Sequence, residues 1–186
     1  MKNAFWGLVA VAGLVGCAKR DAALLIRPES AQVVVAAGAP SVVELAAEEM
    51  TNFLSQTFGR TVPVVREPSA EKVNLILGEN QWSAAARLDP KALRRDGFIT
   101  FVDGGNVYLL GADDPKVDIR RALVGGVSLF SFERGTLNAV YDFLERYADV
   151  RFYFPTELGT CVARKTALAV PAGYRRTEPV FTERYY

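Results

Sequence analysis

Two stretches of this chain carry the spacing of an amphipathic helix, and most of the rest breaks into short apolar runs bounded by turn-forming residues. A chain punctuated this way is restricted to layers in which a few helices cover a sheet of short strands. The first helix opens at Ser41. Val42, Leu45, Ala46, Met50, Phe53 and Leu54 recur at helical spacing, Ser41 with Glu44 has the form of a capping box, and Gly59 stands where a left-handed residue ends a helix. The second covers about residues 136 to 148, with Leu137, Val140, Tyr141, Leu144 and Tyr147 on one face. Asp142, Glu145 and Asp149 lie along another face and read as solvated surface, because nothing apolar flanks them to perturb their titration.

Leu24-Leu25-Ile26 and Val33-Val34-Val35 suit short buried strands, and Val73 to Gly78 suits a central one. Val62-Pro63-Val64-Val65 is strand-like, its proline suiting an edge strand or a strand's first residues. Gly97 to Val102 and Val107 to Leu110 are joined through Asp103-Gly104-Gly105-Asn106, a composition suited to a tight hairpin needing positive φ. Both arms are apolar on both faces, as a layer covered on each side would be. Small helical turns are predicted around Trp82 and Pro90, a strand from Val150 to Phe154 ended by Pro155, and a short one at Leu168-Ala169-Val170. Residues 111 to 134 interrupt the pattern, and a connection this long is commonly functional or an added flap. Within it Asp113-Asp114-Pro115 reads as a solvated turn, since no further carboxylates stand at calcium-loop spacing, and Gly125-Gly126 reads as a bend. Together these elements predict the α/β class: a mixed-sheet α/β sandwich with two main helices and one hairpin.

Half of the 186 residues are hydrophobic and the formal net charge is +1, which indicates neither disorder nor a nucleic-acid partner. The basic pairs Arg94-Arg95, Arg120-Arg121 and Arg175-Arg176 are scattered among acids and read as solvated surface. Histidine is absent, so a Ser-His-Asp relay, a Cys-His relay and a histidine-ligated zinc site cannot be built from this chain. No glycine-rich nucleotide loop occurs either, so no cofactor and no metal are expected. Carboxylate chemistry is the main enzymatic option left.

The first residues address the chain. Met1-Lys2-Asn3 is a positive n-region, Ala4 to Gly13 an apolar h-region too short to span a bilayer, and Leu14-Val15-Gly16-Cys17 a lipobox. Residues 1–16 therefore read as a lipoprotein signal peptide, with Cys17 as the lipidation site and membrane lipid as its partner; an ordinary secretory signal or an N-terminal anchor helix is the alternative. Residues 17–23 form a short tether. Ala18 stands where an aspartate would favour retention at the inner membrane, so the expected location is the cell surface or periplasm, with an outer-membrane address favoured. Removing 16 residues leaves 170, enough for one core and too few for that core plus a barrel of about 250 residues. With Cys17 acylated, Cys161 has no partner within the chain and is expected to be a small buried hydrophobe.

Three motifs recur in order: Gly135-Thr136-Leu137 leading to Val140-Tyr141-Asp142-Phe143-Leu144-Glu145, then Val150-Arg151-Phe152-Tyr153, then Pro179-x-Phe181-x-x-Arg184. Their order resembles the N-terminal domain of bacterial alpha-glucuronidases and of related glycoside-hydrolase-like lipoproteins, across roughly residues 24 to 186. The resemblance implies the fold of the accessory domain of beta-hexosaminidases over residues 24–178, with 179–186 as the start of a C-terminal barrel that this chain lacks. It departs at Ala148-Asp149, where relatives carry leucine and glycine, which bears on the turn from helix to strand. In such enzymes the catalytic acid and base belong to the barrel, so no catalytic residue is assigned here. By the same resemblance Arg184 is a substrate-binding residue whose guanidinium fork suits vicinal hydroxyls or a uronate; the alternative is an arginine bridging domain and barrel by surface ion pairs. The expected function is a non-catalytic accessory domain of a surface-anchored glycoside hydrolase, reaching polysaccharide or oligosaccharide through a downstream barrel. The alternative is a free-standing lipoprotein that binds a glycan or a protein without chemistry.

The lipobox generates a first prediction. Cys17→Ser shifts the protein from the membrane to a soluble fraction or stalls its processing. Mass spectrometry of the mature N-terminus checks it, and a non-acylated terminus elsewhere than Cys17 would contradict it.

Overall fold

The computed structural model describes residues 23–125 and 131–180. Its centre is a six-stranded mixed sheet built from β2 (Ala31–Val35), β3 (Val64–Val65), β4 (Val73–Leu77), β5 (Phe98–Asp103), β6 (Asn106–Gly111) and β10 (Gly173–Thr177). The order across the sheet is β10-β5-β6-β4-β2-β3. β3, β2, β4 and β6 run parallel, while β5 pairs antiparallel with β6 and β10 antiparallel with β5. Parallel neighbours need a crossover, and α1 (Ser41–Phe58) supplies it between β2 and β3. Two further pairs, β1 (Leu24–Ile26) with β9 (Leu168–Val170) and β7 (Arg151–Phe152) with β8 (Thr160–Cys161), stand apart from this sheet.

Strand alternation divides the apolar residues between two faces. Val33, Val35, Leu75, Leu77, Val107 and Leu109 join the main core with the inward faces of α1 and of α4 (Gly135–Phe143). Val34, Ile76, Ile99, Tyr108 and Leu110 form a second cluster, covered by Trp82, Leu88 and Leu93 from a segment containing the short helix α2 (Gln81–Ala85). The hairpin arms are apolar on both faces because the sheet is covered on both, as their sequence predicts.

Gly59 ends α1 in the left-handed conformation at φ 66°. The start of that helix differs from expectation. Pro40 holds the cap position, Ser41 is already helical, and the capping box does not form. Instead the Ser41 hydroxyl donates to the Val117 carbonyl at 2.5 Å and accepts from the Ile119 amide at 3.0 Å, and Glu44 pairs with Arg66 at 2.5 Å. A serine one residue inside the helix no longer addresses its own third amide and ties down the connection after β6 instead. That connection leads into α3 (Ile119–Val124), capped by the Asp118 carboxylate.

The junction of α4 with the sheet is closer still. A Cβ on Gly135 would stand 2.7 Å from the Gly111 Cα and 2.7 Å from the Gly97 carbonyl oxygen, and one on Gly111 would stand 2.5 Å from the Gly135 Cα. The Gly135 amide donates to the Ala112 carbonyl at 2.8 Å. Beside it, the Thr136 amide and hydroxyl donate to the two oxygens of Asp113 at 3.0 and 2.5 Å, and the Gly111 amide donates to that hydroxyl at 3.2 Å. Asp113 is thus no solvated turn: a carboxylate from a distant loop caps the first turn of α4. Asp114 does fit the turn reading, accepting from the Lys116 amide at 2.9 Å.

After Phe143 the helix widens into a π turn, Leu144–Ala148, and stops at Asp149, which takes the left-handed conformation at φ 59°. Aspartate tolerates this conformation better than most residues, so the turn from helix to strand forms without a glycine.

Asp113 as a residue is half-buried, but its carboxyl is enclosed. Loss of solvent pushes its pKa up to about 6, against the opposing bonds from Thr136, with smaller upward pushes from Glu133 and Glu79. A raised carboxyl pKa stabilises the fold fully below the unfolded value near 4, and that stability is lost as pH rises through about 6. Relative to Asp113→Asn, the native chain is therefore expected to lose about 1–3 kcal/mol between pH 4 and pH 7. Denaturant midpoints of both proteins across that range check it; a constant difference would show that Asp113 is not desolvated.

Candidate functional site

The hairpin of β7 and β8 lies against the helices and forms a groove with them. Phe152 meets Phe53 of α1 and Tyr141 of α4 edge-on, each with ring centroids 5.1 Å apart, at 83° and 82°. The Tyr141 hydroxyl donates to Glu49 at 3.1 Å. Burial, and secondarily the Glu49 carboxylate, raise its pKa above the ordinary phenol value, so it stays protonated as a donor. These three rings form one wall, Glu49 and Glu145 stand on the helical side, and the loop from Tyr153 to Thr160 closes the other. The groove has a volume of about 660 Å³, within the range of small-ligand clefts.

The loop is tightly tied. The Tyr153 amide donates to the Gly159 carbonyl at 2.8 Å, the Gly159 amide to the Thr156 carbonyl at 3.1 Å, and the Thr160 hydroxyl to the same oxygen at 3.2 Å. A Cβ on Gly159 would lie 2.0 Å from the Phe154 carbonyl oxygen. Thr156 sits at φ 117° and ψ 167°, a region that glycine alone occupies readily, at a cost on the order of 1–3 kcal/mol. Held by this loop, Tyr153 is 71% and Phe154 56% exposed.

Several expectations change here. The predicted strand through Phe154 ends at Phe152, because the chain turns at Pro155 and returns through Gly159. Cys161 is exposed, since β8 has only β7 beside it and its outward face meets solvent. Asp142 is not a free surface acid: Arg146 Nε donates to both its oxygens at 2.9 and 3.0 Å, and Arg175 donates to it as well. Residues 173–177 form the edge strand β10, so Arg175 and Arg176 fall on opposite faces of the sheet. Arg175 turns toward α4 with its guanidinium 5.8 Å from the Phe98 ring centroid, and Arg176 donates to the Ala92 carbonyl and to Glu178, both at 2.7 Å. Arg94, Arg95, Arg120 and Arg121 lie at the surface as read.

Cys17, Phe181 and Arg184 lie outside the described residues. Sequence reasoning missed the groove, having given Phe53 and Tyr141 to core stripes and Phe152 to Phe154 to a strand. The available signal was three consecutive aromatics running into Pro155, which no strand with one buried face would place together. Among the described residues no cluster of carboxylates and thiols is placed to hold a metal ion. What the groove offers is apolar ring surface beside carboxylate acceptors.

The family description Glycosyl hydrolase family 67 N-terminus matches residues 20–117, from before β1 to the connection after β6. The chain belongs to this family. No curated protein matches it. A solved family GH115 4-O-methyl-alpha-glucuronidase with specificity for decorated arabinogalactans aligns with this family 67 N-terminal domain at a TM-score of 0.52 and 13% identity. That alignment covers 83% of this chain and 18% of the enzyme, so it carries the fold alone and this domain spans under a fifth of that length. The GH20 beta-N-acetylhexosaminidase from Streptomyces coelicolor A3(2) aligns at 0.47 and 12% identity, over 87% of this chain and 25% of that one. The mixed α/β class and the alpha-glucuronidase resemblance drawn from the sequence both hold. The Gly135-Thr136 and Phe152-Tyr153 motifs lie beyond the family match and within the fold.

The loop generates a prediction. Thr156→Gly removes a strained conformation at a position whose backbone already suits glycine, and is expected to stabilise the domain by about 1 kcal/mol despite the added freedom of the unfolded chain. Thermal unfolding checks it, and a lowered melting temperature would mean the threonine is not strained.

Proposed function

We propose that this chain is the non-catalytic accessory domain of a surface-anchored glycoside hydrolase acting on polysaccharide. That it is a glycoside-hydrolase-associated domain follows from its family. The finer reading is supported by how its acidic groups are used. Hydrolysis of a glycosidic bond needs two carboxyls whose surroundings drive their roles apart, one as acid and one as base or nucleophile. Asp113, the carboxyl whose pKa burial raises toward neutrality, is occupied in capping α4 beneath Thr136. In the groove, Glu49 is engaged by the Tyr141 hydroxyl while Glu145 is exposed. In this reading the acid and base of the reaction come from another part of the enzyme, and the lipobox at Cys17 supports the anchor.

Residues 18–186, purified and assayed against aryl glycosides and glucuronoxylan fragments, are expected to show no turnover above buffer. Turnover that co-purifies with the folded chain and disappears on a single Asp or Glu substitution would overturn the reading.

A further inference from the structure

The groove has the chemistry of a ligand site of its own. We propose that it binds uncharged stretches of a polysaccharide chain. The choice of a glycan rests on the reading of this chain as part of a polysaccharide-acting hydrolase; the charge and shape of the ligand come from the groove.

Three features carry it. The first is the exposure of Tyr153 and Phe154 on a loop tied by its own hydrogen bonds. Gly159 packs against the Phe154 backbone, and Thr156 is held where only glycine is at ease. A loop that holds its backbone by hydrogen bonds among Tyr153, Thr156, Gly159 and Thr160 while two rings stand in water has placed those residues before any ligand arrives, which lowers the ordering cost of binding. The second is the mixture of surfaces. A sugar presents apolar C–H faces and a rim of hydroxyls: ring faces accept the former, and the Glu49 and Glu145 carboxylates with the Thr156 and Thr160 hydroxyls can bond the latter.

The third is charge. Among the described residues both ionic groups on the groove are carboxylates and no lysine or arginine lines it, so a uronate, sulfate or phosphate would meet like charge there without a counterion. A neutral run of sugar avoids this. The nearby cations are engaged: Arg146 by Asp142, and Arg151 by Asp149 at 2.5 Å. A standard protein interface needs about 800 Å² from each partner. On this groove the exposed rings are Tyr153 and Phe154, both on one short loop.

The test is a binding titration, by calorimetry or amide shift mapping, of the chain expressed without its leader. The probes are neutral hexamers of xylose, glucose and galactose, a glucuronate-substituted xylo-oligosaccharide, and hexalysine. At least one neutral hexamer is expected to bind with a Kd of about 0.1–5 mM, perturbing residues 152–156. Tyr153→Ala and Phe154→Ala are each expected to weaken it at least tenfold at unchanged melting temperature, and Glu145→Gln severalfold. The glucuronate-bearing probe is expected to bind more weakly than its neutral counterpart. Absence of binding by all neutral hexamers, binding untouched by both ring substitutions, preference for the uronate or for hexalysine, or self-association abolished by Tyr153→Ala would each overturn the site. Catalytic turnover by the chain would sink the accessory-domain reading and leave these isotherms unaffected, so the two failures are separable.

Discussion

The contact on which the rest of this domain depends is the near-touch of two backbones at Gly111 and Gly135. With no Cβ on either side, the first turn of α4 lies directly on the end of β6, and the Gly97 carbonyl fills the remaining space. Close approach of this kind leaves helix amides facing a sheet that cannot bond them all, and an unpaired buried amide is costly. Asp113 resolves it by taking the Thr136 amide and hydroxyl together, while the Gly135 amide goes to Ala112. The same carboxyl thereby loses water and shifts toward neutrality, so the packing and the electrostatics of the junction have one cause.

From that anchor the geometry propagates along α4. Val140 and Phe143 are buried, Tyr141 reaches α1 through Glu49, and Asp142 gathers Arg146 and Arg175. The π turn and the left-handed Asp149 then swing the chain back so that Phe152 stands edge-on to Phe53 and Tyr141. The groove is the downstream result of where α4 begins. Its loop carries the strain at Thr156, while the sheet and α1 keep regular geometry. A rigid scaffold with an irregular, tied loop is the usual division of labour between stability and binding.

Membership of the family and the structural use of Asp113 and Glu49 both fit the proposal that this domain belongs to a longer enzyme. The fold is shared with a solved glucuronidase, of whose length the alignment covers 18%. The groove's acidic rim is in keeping with the proposal of an uncharged ligand, since its carboxylates disfavour an anionic one.

Local periodicity was enough to determine α1 with its end at Gly59, β4 as a central strand, the β5–β6 hairpin, and hence the α/β class. Burial imposes a period of 3.6 or 2 on the side chains, and that period is written in consecutive residues. What it could not show are partnerships across the chain. The Ser41 hydroxyl bonds residues 76 and 78 positions away, so a local capping box was the wrong inference from a correct helix. Arg175 meets Asp142 only because β10 pairs with β5, 75 residues earlier at Thr100, and Asp113 meets Thr136 across 23 residues. Cys161 is exposed because its strand found one neighbour instead of two. Aromatic content near Pro155 was visible, but the faces those rings present were not. A side chain's hydrophobicity sets how much it gains from burial, and only the assembled layers decide whether there is somewhere to bury it.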